Sequence, residues 1–120
     1  MSTTPVSPTS HVIHGIQALH YPHGWYVPVA ERLRILHQLG TPMSVLSGDV
    51  LTWHTCPFYR ACIEVDGCRY IGDADLHLDA APGTPDATNP ISCGQTAAIG
   101  QALECAGFGD LKSLLARVHP

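Results

Sequence analysis

Asp73, Asp75 and His77 alternate along one short stretch, DADLH. On a strand, alternate side chains stand about 7 Å apart on one face. Two carboxylates and an imidazole so placed suit a hard divalent cation such as Mg²⁺, or Mn²⁺, which also accepts imidazole. Glu64 offers a further carboxylate from a neighbouring segment. This is the chemistry of a small enzyme or small-molecule-binding protein with an acidic, His-containing pocket. Alternation along any solvated strand face produces the same spacing, so residue type and order leave both readings open.

Sulfur and imidazole recur elsewhere. Cys56, Cys62 and Cys68 fall at every sixth position, with His54 just before them, and Cys93 and Cys105 complete the five thiols. An odd number without C-x-x-C spacing does not read as a disulfide framework. Zinc ligation and burial as small hydrophobes remain alternative uses. Cys93 falls where the positive end of a helix dipole would favour a thiolate, although chain order brings no histidine to it. His-x-x-His-Gly occurs twice, at His11/His14 and His20/His23. It reads either as a metal-binding tract or as an irregular, half-buried segment. Dinucleotide and phosphate-loop glycine motifs are both missing.

The chain has 120 residues, enough for one domain, and a net charge of −4. Six cations, Arg32, Arg34, Arg60, Arg69, Lys112 and Arg117, are few for a generic nucleic-acid binder. No apolar run approaches the roughly 20 residues that cross a bilayer, and the first residues lack a signal-peptide layout. A soluble, cytoplasmic protein is expected, with a flexible Ser/Thr/Pro-rich tail over residues 1–10 and one domain over 11–120.

Positioning elements follow from pattern. Pro28 opens a helix from Val29 whose apolar residues Val29, Leu33 and Leu36 recur at helical spacing. Glu31, Arg32 and Arg34 are placed toward solvent, and Gly40 closes the helix in a left-handed cap. Three strands are expected, at about 43–54, 58–65 and 68–78. Asp66-Gly67 joins the last two as a type I′ hairpin. Tyr59, Ala61, Ile63 and Val65 share the inner face with Cys68, Tyr70, Gly72, Ala74, Leu76 and Leu78. A Pro/Gly-rich loop over 79–89 leads to Asn89 as cap and Pro90 as the start of a closing helix, then a short helix at about 110–118. The fold class is α+β: a three-stranded antiparallel meander flanked by helices, in the order α-β-β-β-α.

Gly94 and Gly100 in the closing helix each cost about 1 kcal/mol relative to alanine. With Ala97, Ala98, Ala102 and Ala106 they make a smooth surface for close approach, with Ile91, Ile99 and Leu103 as the larger contacts. Either the domain's own sheet or a second subunit or ligand lies against it.

The closing stretch QTAAIGQALECAGFG, Gln95 to Gly109, resembles a motif of the single-strand DNA annealing superfamily of phage and bacterial recombination proteins. Thr96, Ala98, Ile99, Gly100, Ala102, Leu103, Ala106, Gly107 and Gly109 match it, and YVPVAERLRILHQL, Tyr26 to Leu39, resembles the family's opening segment. The similarity spans roughly residues 25–109. Gln101 stands where the family motif has Arg, and Gln95 where it has Glu.

The resemblance implies a βββα core assembling into a homo-oligomer that holds single-stranded DNA along a basic groove. Binding by phosphate contact and stacking would follow in DNA recombination or repair. Arg32, Arg34, Arg60, Arg69 and Lys112 are the cations available for phosphates, and Trp25, Trp53, Tyr59 and Tyr70 the aromatics available for bases. No cofactor is implied beyond a divalent cation at Asp73, Asp75 and His77.

Overall fold

A computed structural model describes residues 7–79 and 81–120. It contains two three-stranded antiparallel sheets, β1–β2–β3 and β4–β5–β6, with helices, an α+β arrangement. The strands are β1 (Thr9–Ile13), β2 (Ile16–Tyr21), β3 (Gly24–Tyr26), β4 (Met43–Trp53), β5 (Cys56–Val65) and β6 (Cys68–Asp75). The helices are α1 (Val29–Gln38), the single turn α2 (Pro85–Thr88), α3 (Pro90–Cys105) and α4 (Leu111–Val118).

The first sheet corrects the sequence reading. The His-rich stretch is regular: Ile16 and Ala18 alternate inward and are 1% exposed. His14-Gly15 supplies the two positive φ angles, 47° and 86°, that a tight hairpin needs. Thr9 and Ser10, expected in a flexible tail, pair in β1 with His20 and Leu19. Residues 1–6 of that tail lie outside the described residues.

In the second sheet, Asp66 and Gly67 have φ of 51° and 83°, the expected type I′ turn. His54-Thr55 makes a second left-handed turn between β4 and β5, with φ of 47° and 65°. Tyr59, Ala61, Ile63 and Val65 are buried as expected. The third strand is shorter than expected, ending at Asp75, and Cys68 and Leu78 are exposed rather than inward. Chain departure at Leu76, whose N–H donates to the Pro57 carbonyl, ends the alternation.

Helix α3 lies across β5 and β6. Its small residues serve packing within the chain, and the contact is shared with the sheet and with α1. A Cβ on Gly72 of β6 would meet the Ala98 carbonyl oxygen and come within 2.6 Å of the Ala102 nitrogen. On the helix, Gly94 makes room for Leu76, and Gly100 for Val29 and Arg32. Leu103 is buried and Ile99 partly so, whereas Ile91 is exposed, because the first turn overhangs the sheet. Asn89 occupies the N-cap position but makes no side-chain cap bond. Past α3, Gly107 (φ 89°) and Phe108 close a Schellman motif, the Phe108 N–H reaching the Leu103 carbonyl at 2.8 Å. That motif drops Phe108 into the main core with Ile16, Ile35, Leu36, Ile63 and Leu114.

Among the described residues, no helix is long and apolar enough to cross a membrane. The molecule measures 43 × 39 × 19 Å, thin enough for two layers and no more. The second sheet therefore has one face under α3 and one face open.

Candidate functional site

The cations are the first test of a phosphate-binding surface, and the fold has committed most of them. Arg32 is 2% exposed, not solvent-facing as expected. Its Nε donates to the Val27 carbonyl and its Nη1 to the Gly100 carbonyl, both at 2.9 Å, and it lies 5.8 Å from the Tyr26 ring centre. Because Gly100 has no side chain, the guanidinium can reach between α1 and α3. Arg34 forms a two-pronged pair with Glu31 and also donates to Gln38 and the Gly15 carbonyl. Glu31, itself 7% exposed, accepts from the Gln17 N–H at 2.7 Å, tying α1 to β2.

The Arg34 guanidinium, with help from Gln17, holds the Glu31 carboxyl below its ordinary value of 4.5, burial opposing it. A carboxyl with a depressed folded value contributes stability above the unfolded value and loses it as pH falls through the folded one. Stability should therefore drop below about pH 4.5, and Arg34→Gln should shrink that acid-dependent part. Urea unfolding midpoints of both proteins from pH 7 to 3 give the comparison. Parallel curves would mean that the pair contributes nothing.

On the open face of the second sheet, Arg60 and Asp73 sit opposite each other across β5 and β6. They form a bidentate pair at 2.8 and 3.0 Å. Arg60 thereby keeps the Asp73 carboxyl below its usual range. Gln101 accepts a hydrogen bond from the Asp73 backbone N–H and so occupies a ladder position on the β6 edge. Arg69 faces Glu64 more loosely at 3.9 Å, and Arg117 lies 4.4 Å over Phe108. Lys112 is exposed on α4.

The acidic constellation does not close. Asp73 is taken by Arg60, Asp75 is exposed at the end of β6, and His77 is exposed beyond it. Among the described residues, no three His, Cys, Asp or Glu side chains come together as a metal site. The five cysteines are free thiols. Trp53, Cys56, Phe58, Arg60, Asp73, Asp75 and Gln101 line a shallow cavity of about 520 Å³ that runs across the three strands.

The aromatic surface was only half visible beforehand. Of the expected stacking residues, Tyr59 is buried and Tyr70 partly buried, both on the covered face, whereas Trp25 and Trp53 are exposed at 43% and 70%. Trp25 has company that pattern reading missed. Thr9 pairs with His20 and His20 with Trp25, which puts His11 on the same face two residues from Thr9. The His20 and His11 rings lie 4.5 and 5.3 Å from the Trp25 ring. Tyr21 stacks on His23 at 5.3 Å and meets Tyr26 edge-on. The missed signal was the His14-Gly15 turn, which folds His11 back against His20 and Trp25. A cavity of about 340 Å³ separates Trp25 and Tyr26 from Asp110 and Ser113 at the start of α4, next to Lys112 in the chain. Comparison with protein-family models, curated proteins and solved structures found no match.

Proposed function

We propose that this chain is a single-stranded nucleic-acid-binding module with an annealing-protein-like core, working as an oligomer in DNA recombination or repair. The observation that carries the reading is the exposed Trp25 with its flanking imidazoles and the exposed Tyr26 next to it in the chain. Base stacking on aromatic side chains contributes about 1–3 kcal/mol per base and tolerates any sequence. The order α1, three-stranded meander, α3 supports the same reading.

The charges shape how such binding behaves. With Arg32, Arg34 and Arg60 engaged internally, Lys112 and Arg69 are the available phosphate contacts. The logarithm of affinity should then fall with that of salt with a slope near about −1.4, two contacts at roughly −0.7 each. Trp25→Ala should weaken binding about tenfold, corresponding to one stacked base. Anisotropy of a labelled oligothymidylate, titrated at several salt concentrations, reads both numbers. No binding at low salt, or unchanged affinity in Trp25→Ala, would defeat the reading.

A second reading rests on the cavity on the open face of the second sheet, where Trp53 and Phe58 flank the Arg60–Asp73 pair. These aromatic walls and a paired charge favour a small polar ligand. Such a ligand would perturb Trp53 fluorescence while leaving Trp25 untouched, so single-tryptophan variants separate the two surfaces.

A further inference from the structure

The second sheet has two edges, and the fold treats them differently. Along β6, α3 lies close and Gln101 satisfies the Asp73 N–H. Along β4, an eleven-residue strand, nine residues are exposed, and hydrogen-bonded pairing runs to β5 alone. Strands of this length at an open edge usually carry Lys, Pro or several charges that prevent pairing. Between Met43 and Trp53 there is neither Lys nor Pro, and Asp49 is the one ionic side chain.

We propose that two copies of this chain join through β4, antiparallel about a two-fold axis at Val50. The irregularity between Val45 and Ser47 limits the regular run to Ser47–Trp53. Paired with itself about Val50, this run keeps its inner and outer faces in step. Val50 meets the second copy's Val50, Asp49 meets Leu51, and Gly48 meets Thr52. Ser47 lies opposite the highly exposed Trp53, giving the indole a small neighbour. Asp49 never stands directly opposite Asp49, so the pairing sets no like charges against each other and matches the strand to itself, as an isologous interface requires.

The product is a six-stranded sheet. A two-fold axis relating antiparallel neighbours runs perpendicular to the sheet, so both copies of α3 lie on one face. Val45 and Val50 share the face that α3 covers over β5 and β6, yet they are 48% and 49% exposed. In the pair they form the floor between the two helices. This inference rests on the strand edge and is independent of nucleic-acid binding.

Sedimentation equilibrium of the full chain should give twice the 12.9 kDa chain mass. Val50→Lys and Val50→Glu each set like charges directly opposite each other and should halve that mass with unchanged circular dichroism. Mixing the two variants should restore the doubled mass, because lysine then meets glutamate. A monomeric natural chain, dimers persisting in either variant, or a mixture that stays monomeric would each overturn the proposal. Amide exchange is a second check on the natural chain: β4 protection should rise with protein concentration, and concentration-independent exchange would overturn it equally.

Discussion

Gly72→Ala is expected to lower the melting temperature by about 10 °C or more, the effect of losing roughly 3 kcal/mol in a domain of this size. One methyl group does this because of what it meets. Its Cβ would run into the Ala98 carbonyl oxygen and the Ala102 nitrogen, both main-chain atoms of α3. A flexible side chain could swing aside; a helix backbone has to move as a unit. Lifting α3 would disturb Ala98, Ala102 and Leu103 together, all of them fully buried. Thermal melts followed by circular dichroism measure the effect. A melting temperature within a degree or two of the natural chain would show that α3 does not sit this close to β6.

Arg32→Met should cost about 3 kcal/mol, because it takes a buried charged donor away from two buried carbonyls, Val27 at the entry to α1 and Gly100 within α3. Methionine keeps the apolar length, so lost packing is a minor part of the change. Arg32→Lys should recover little, since a single ammonium cannot reproduce the guanidinium fork that spans both acceptors. Single-stranded DNA affinity, measured where each variant remains folded, should stay within about twofold, well short of the weakening that losing a phosphate contact brings. The opposite pattern, unchanged urea midpoints with weakened binding, would return Arg32 to the surface where the sequence pattern placed it.

That misplacement shows which parts of the fold pattern reading can reach. Asp66-Gly67 was legible because its residue types are those that commonly adopt positive φ. His14-Gly15 and His54-Thr55 do the same work with a residue type that pattern rules seldom associate with hairpins, and so the first sheet was hidden. The inward face of β5 followed from alternation. The burial of Glu31 and Arg32 did not, because helical periodicity counts both as polar. What buries them is a second layer: β2 supplies the Gln17 N–H, and glycine at position 100 opens a passage to a carbonyl. Asp73 and Asp75 were correctly placed along one strand, but Asp73's partner, Arg60, lies across the register on β5, thirteen residues away. Cross-strand pairing decides whether such a carboxylate is available, and that is a property of the assembled sheet.

The Gln101 side chain has a consequence for solubility. A sheet open at both edges can add molecules without limit, which is how strand pairing leads to fibres. Here the amide oxygen of Gln101 occupies a hydrogen-bonding position on β6 that an incoming strand would need. Growth of this sheet is thereby confined to one side, and joining at β4 uses that side up. An edge left unguarded by charge can be carried safely when the far edge is closed, because each association event removes the place on that sheet where the next could begin.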